Sequence, residues 1–366
     1  MEIYGKDFQP PHCPRRNCNA HLKYDHPGQW SRWSSYTNQA LGKRIQRFKC
    51  HVCDGTYSRQ AFSIHYWQKK HLAGHELLLM AVGSACNSQI ARVARVSPTT
   101  IDHHLAKLGR HASLFHLQMI RKLKPPKEIL VDGFETFELS QYYPMHFHLA
   151  VEKHSQFLWY FTDSPLRRKG RMTDYQKKRR QELETLHGRP DPKAIEKDMK
   201  ELLEITLRGA RSAIVYSDEH QAYPRAIRHL DVEIEHRTVS SKERRDKRNI
   251  LWGVNLADLL IRHGGANHKR ETIAWAKRRN AAAERLMLFM LWRNYIKGIS
   301  EKERGSPTPA MLLGLTDRRL TVEEILERRI FPDHVEMPPR WKQYYGREVE
   351  TVALAVNRRH ELKFAF

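Results

Sequence analysis

Cysteine is scarce in this chain, five among 366 residues, which excludes the disulfide scaffold that holds small secreted proteins together. Acid is scarce as well. Asp and Glu number 41 against 64 Lys and Arg, a formal net charge of +23 with a sequence pI near 9.9. An excess of that size points to a polyanionic partner, of which nucleic acid is the commonest. No apolar run approaches the roughly 20 residues that a membrane-spanning helix needs, and Met1–Pro11 lacks the apolar stretch of a secretory signal. No membrane partner and a cytoplasmic location are therefore expected. Internal repeats are absent. The length predicts two or three units, and a hydrophobic content of 40% is enough to bury a core.

Four of the five cysteines fall in the first unit, residues 1–70, which is rich in aromatics and poor in aliphatics. Such a block needs a staple. Cys13-x4-Cys18 and Cys50-x2-Cys53 are two close pairs separated by a hairpin-length segment. Each pair sits on a tight turn that makes two thiolates converge, and two such knuckles close a tetrahedral structural Zn²⁺ site. Phe48 and Tyr57 flank the second knuckle as ribbon strands would. The wider spacing of the first pair leaves His12, His21 or His51 as a substitute ligand. Cys86 stands alone among small residues and reads as a packing cysteine.

Residues 71–124 read as helical and end on the stiff basic linker Lys122-Leu-Lys-Pro-Pro126. Within them, Ser88–Leu105 has the helix-turn-helix pattern. Ile90 and Val93 line a first helix, Val96 packs the turn, Ser97 caps a second helix with Pro98 at its first position, and Ile101 and Leu105 hold that helix down. Thr99, Thr100, Asp102, His103 and Lys107 would then face the major groove of double-stranded DNA.

A third unit, residues 125–300, opens with Glu128-Ile-Leu-Val-Asp132, an apolar run ending in acid. Strands at 128–139, 146–152 and 156–162 with tight turns predict an antiparallel meander. A charged helical insertion spans 165–208, broken at 187–192. A buried strand at 212–216 ends in Ser217-Asp218; a short helix at 220–229, a strand at 231–239 and a charged loop at 240–249 follow. A long helix is expected from Glu271 to Lys297, with Ile273, Ala276, Ala283, Leu286, Phe289, Met290 and Ile296 on its core face. Residues 301–366 form a tail with one small helix, opened by the capping box Thr321-Val-Glu-Glu324.

In a ribonuclease H-like fold the ends of the first and fourth strands and the last helix converge on one edge of a mixed sheet. Asp132, Asp218 and Glu284 occupy those places, with Glu271 the rival for the third. Three carboxylates hold two divalent metals, and all-oxygen ligands suit Mg²⁺ or Mn²⁺. The basic runs Arg167–Arg171, Lys177–Arg180 and Lys242–Arg248 add phosphate contacts, with Lys178, Arg179, Lys242 and Arg245 the residues expected to make them.

Arg47–Cys53, Val131–Phe137, Tyr216–Tyr223, Asn267–Arg279 and Ala281–Lys297 together resemble bacterial insertion-sequence transposases of the DDE type with an N-terminal zinc ribbon. The resemblance covers most of residues 10–300. It implies a multidomain α+β fold with a zinc ribbon, a helix-turn-helix domain and a ribonuclease H-like α/β catalytic domain. It further implies Asp132, Asp218 and a glutamate as catalytic ligands, transposon ends and target DNA as partners, a homo-oligomer on DNA and a nucleoid-associated location in a bacterium. A silent DNA-binding regulator on the same frame and a nuclease without strand transfer are the alternatives.

Overall fold

The structure, a computed structural model, describes residues 7–39, 41–68, 70–269, 272–357 and 359. Near its start, β1 (Trp30–Asn38), β2 (Lys43–Cys50) and β3 (Thr56–Ser58) form an antiparallel sheet in that order. Phe48 pairs with Tyr57 across β2 and β3, as expected of strands around the second knuckle. The small core beneath is aromatic, with Phe8, Phe48, Tyr57 and Phe62, and Phe331 joins it from far along the chain.

Three helices follow, α1 (Gly74–Val82), α2 (Asn87–Ala94) and α3 (Pro98–Ile120). Ser97 caps α3 by accepting from the Thr100 N–H, with Pro98 at the first position, as the sequence predicts. Ile90, Ile101 and Leu105 are buried, whereas Val93, expected inside, is 71% exposed. The buried stripe of α2 runs through Ile90 and Ala91 instead.

The larger sheet begins with the predicted meander, β4 (Glu128–Phe137), β5 (Pro144–Glu152) and β6 (Leu158–Pro165). Next come α4 (Asp174–His187), α5 (Ala194–Thr206), β7 (Ser212–Ser217), α6 (Ala222–Ile227) and β8 (Glu233–Thr238). The strand order is β6-β5-β4-β7-β8. β4, β5 and β6 pair antiparallel, while β4–β7 and β7–β8 are parallel. This mixed sheet follows the expected succession of elements. Within the charged insertion, α4 has no buried residue, whereas α5 lays Met199, Leu202 and Leu203 on the sheet.

The helices after β8 depart from expectation. α7 (Trp252–Gly264) packs on β4 and β5 where the sequence reading assigns no element. α8 (Arg279–Leu291) continues as a π-helical turn, Trp292–Ile296. It begins later than the expected helix. Ile273, which precedes it, is 90% exposed, and Glu271 lies outside the described residues.

The expected boundary at 124/125 is not a break in packing. Every residue of α3 from His104 to Leu114 is buried, because that half of the helix lies on α8. A Cβ at Gly109 would fall 2.6 Å from the Glu284 carbonyl oxygen, so the crossing requires glycine. One hydrophobic cluster joins Leu105, Phe134, Leu286 and Trp341.

The remaining helices are α9 (Pro309–Leu312), α10 (Val322–Leu326) and α11 (Pro339–Gly346). Thr321 and Glu324 form the predicted capping box. The segment is no free tail. Trp341 is buried and donates from Nε1 to the Phe161 carbonyl at 3.1 Å. Arg340 bonds Asp163, Asp198 and Glu201, and the Arg329 N–H donates to the Phe62 carbonyl at 2.9 Å. Among the described residues, no helix is long and apolar enough to cross a membrane.

Candidate functional site

Strands β4 and β7 run parallel with Leu130 opposite Tyr216. Two residues further along each stand Asp132 and Asp218, so the register itself sets these half-buried carboxylates side by side. They line a cleft of about 760 Å³ with His146, His220 and Tyr223, and Arg167, Lys169 and Arg189 also border it. Burial pushes the Asp132 carboxyl up to about 6. The Gly133 N–H opposes this, and the charges of Asp218 and Asp258 add to it. The Asp218 Oδ1 accepts from the His220 N–H at 2.9 Å.

The structure does not bring Glu284 to this pair. Its carboxylate is 4% exposed at the α3–α8 crossing. Arg347 donates to both of its oxygens, at 2.9 and 3.0 Å, and Arg110 approaches at 3.5 Å. Two guanidiniums occupy its acceptor sites, so it reads as a buried ion-pair member. After Asp218, the acid that acts electrostatically on Asp132 is Asp258 of α7. Burial raises its carboxyl also, opposed by Arg262 of the next turn, whose Nε lies 2.9 Å away.

Sequence reasoning missed Asp258 and His146. The signal for the first was the helical stripe Val254, Ala257 and Ile261. The second pairs with Glu135 across β4 and β5. From the cleft, His146 Nδ1 meets His148 Nδ1 at 3.1 Å, His148 Nε2 meets Ser164 Oγ at 2.7 Å, and that hydroxyl donates to Asp198 at 2.6 Å. Burial holds the His146 imidazole down to about 4, helped by His220 and Arg262, so it is neutral at physiological pH.

In the ribbon, Cys13, Cys18, Cys50 and Cys53 bring their sulfurs within 4.8 Å of one another. Cys13–Cys53 and Cys18–Cys50 are each 3.8 Å apart. A tetrahedron with Zn–S of about 2.3 Å has an edge of about 3.8 Å, so the group can bind zinc. The turns that converge them close through Cys18 N–H to Arg15 O, 3.1 Å, and Cys50 N–H to Gly55 O, 2.8 Å. Burial works against the Cys50 thiolate, but the Tyr24 hydroxyl and the Cys53 and Val52 amides outweigh it and bring the thiol down to about 7. No histidine substitutes in this group; His51 Nε2 is engaged with Ser31 at 3.0 Å. Cys50→Ser is expected to strip this zinc and unfold the ribbon, since structural zinc contributes roughly 10–16 kcal/mol of folding free energy in isolated fingers. Zinc content and the near-ultraviolet dichroism of Trp30 and Trp33 check it; a variant that keeps the wild-type zinc content refutes the assignment.

On α3, Thr99 and His103 are exposed and Thr100 half-buried, with the Thr100 hydroxyl bonded to Ser97 Oγ at 2.9 Å. Residues 77–110 match the family described as "Bacterial regulatory protein, arsR family". A helix-turn-helix DNA-binding domain occupies these residues. In this domain Lys107 does not face a groove, contrary to expectation. It is 7% exposed, and its Nζ donates to the Tyr66 carbonyl at 2.5 Å. Burial, with Arg329 and Arg110 nearby, pulls its ammonium down to about 7. Lys178, Arg179, Lys242 and Arg245 are all exposed, and Arg245 acts electrostatically on Asp132.

No curated protein matches this chain. Among solved structures, a chain of a simian T-cell lymphotropic virus intasome in complex with PP2A regulatory subunit B56 gamma is similar over 65% of this chain and 72% of its own. Its identity is 14% and its TM-score 0.23, too low to carry an argument.

Proposed function

We propose that this protein is a DNA transposase of the DDE type. It would bind transposon ends through its helix-turn-helix and cut and join DNA on a ribonuclease H-like sheet. The observation that carries the reading is the β4–β7 register, which sets Asp132 beside Asp218 at a cleft bordered by arginine and lysine. Asp258, and not Glu284, is the third carboxylate of this proposal. The donor set fits a hard divalent cation: oxygens only, with the charges of Asp218 and Asp258 adding to the burial that raises Asp132. Mg²⁺ or Mn²⁺ bound there supplies activation of the attacking hydroxyl and stabilisation of the leaving oxygen. Arg167, Lys169 and Arg189 hold the DNA backbone over the cleft, and Arg245 contacts a phosphate near the acids. His146, neutral and half-buried, donates or accepts a hydrogen bond at the cleft wall without adding charge.

The test is incubation of the full chain with the DNA flanking its own gene and Mg²⁺. Nicked ends that become joined to target DNA support the proposal. The likeness of residues 77–110 to regulatory proteins favours a second reading, a DNA-binding regulator without chemistry. Specific binding with no cutting in Mg²⁺ or Mn²⁺ would establish that reading instead.

Base reading and phosphate gripping should separate by substitution. Thr99→Ala and His103→Ala are expected to relax sequence preference. Lys178→Ala should weaken binding to all DNA about equally and lower the salt slope by about one. Lys107→Met should change neither, because its ammonium is buried against Tyr66. Binding isotherms at several salt concentrations check this; a loss of specificity in Lys107→Met would mean that α3 is docked wrongly.

A further inference from the structure

Beside the ribbon, three histidines distant in sequence come together, and we propose that His12, His21 and His334 bind a second zinc ion separate from that of the four cysteines. This inference is independent of the proposed catalysis. One ring nitrogen from each lies within 4.8 Å of the others. One nitrogen of each ring is committed to a backbone carbonyl. His12 Nδ1 and His21 Nδ1 lie 3.1 and 2.9 Å from the Cys13 oxygen, and His334 Nε2 lies 2.9 Å from the His21 oxygen. Donation to a carbonyl fixes the tautomer and leaves the other nitrogen a bare lone pair. It is the outer-shell arrangement that orients metal-bound imidazoles. That leaves one lone pair on each ring, at His12 Nε2, His21 Nε2 and His334 Nδ1, free to take a metal.

A second observation points to a ligand. His21 is 5% exposed, and its buried Nε2 has an Asp333 carboxylate oxygen as its near neighbour, outside good hydrogen-bond geometry. The Asp333 Oδ2 lies 3.3 Å from that nitrogen, and Arg16 holds the same carboxylate with two hydrogen bonds, at 2.6 and 2.5 Å. Three imidazoles suit Zn²⁺. Zn–N bonds of about 2.0–2.1 Å give an N···N edge of about 3.4 Å, so the rings need close by about 1.4 Å at most. Packing on Phe62 and Phe331, at 5.2 and 4.6 Å from the His12 ring, accounts for the rings being near. It does not account for three imidazoles that each already commit one nitrogen to a backbone carbonyl. The ion would pin His334 to His21, 313 residues away, and so hold the late segment of the chain on the ribbon.

The test counts zinc in the dialysed full chain. Two per chain are expected in the wild type and one in His334→Gln or His21→Gln. Gln retains bulk and a polar atom, and His334 is half-buried, so the fold should survive. Cobalt substitution reads the sites separately: thiolate-to-cobalt charge transfer should be unchanged in His334→Gln while one equivalent of cobalt is lost. A wild-type chain that holds a single zinc at saturation, or a His334→Gln chain that still holds two, overturns the proposal.

Discussion

Asp132→Asn, Asp218→Asn and Asp258→Asn are each expected to lower DNA cleavage and strand joining by about a thousandfold or more, on the scale seen when a preorganised charge is removed from a transition state. Asn keeps the shape of Asp and removes its charge. At a cleft where burial, with the charges of Asp218 and Asp258 added, lifts Asp132 to about 6, a divalent cation is what makes the cluster favourable, and each lost charge weakens that cation's hold. DNA affinity should stay near wild type or rise slightly, because a negative charge facing phosphate is gone. Gel assays of cleavage and binding on the same DNA ends measure both. Full activity in Asp132→Asn or Asp218→Asn would remove the proposed chemistry altogether. Full activity in Asp258→Asn alone would leave the pair standing and return the search for the third acid to another helix.

Glu284→Gln should behave differently, losing about 3–5 kcal/mol of stability, the range for breaking a buried ion pair by removal of one partner. Its carboxylate, 4% exposed, takes two hydrogen bonds from Arg347 and faces Arg110, itself 5% exposed. Gln cannot balance either guanidinium. Urea unfolding measures the loss, and Arg347→Met in the Glu284→Gln background should recover part of it. An unchanged unfolding midpoint would refute the structural role. Cleavage per folded molecule should be retained, which distinguishes this residue from the three aspartates.

The zinc knuckles, the Ser97–Pro98 helix start and the capping box at Thr321 were legible because their signals are local: spacing, a cap, a hydroxyl three residues before its N–H. Asp132 and Asp218 were legible as candidates because each closes the apolar run Ile129–Val131 or Ala213–Tyr216 of its strand. The third acid of the proposal was not. Glu284 lies in a conspicuous apolar helix, but its partner Arg347 is 63 residues away, and no periodicity reveals that pairing. Asp258 sits in a shorter helix whose stripe, with Arg262 and His263 in the last turn, was present in the sequence but overshadowed by the charged loop before it. Lys107 has the spacing of a groove-facing residue, and only the fold brings the Tyr66 carbonyl over it.

The late segment also sets an order of maturation. Phe331 completes the aromatic core of the ribbon, Arg340 meets the buried Asp163, and Arg347 meets Glu284. At roughly 5–20 residues per second of synthesis, the ribbon leaves the ribosome tens of seconds before Phe331 is made. A nascent chain thus carries Asp163 and Glu284 toward the interior with these guanidinium partners still untranslated. Neither sheet can settle into its final packing as it emerges. A premature stop upstream of Arg340 would therefore leave Asp163 without Arg340 and Glu284 without Arg347, an incompletely packed polypeptide for chaperones and proteases to find.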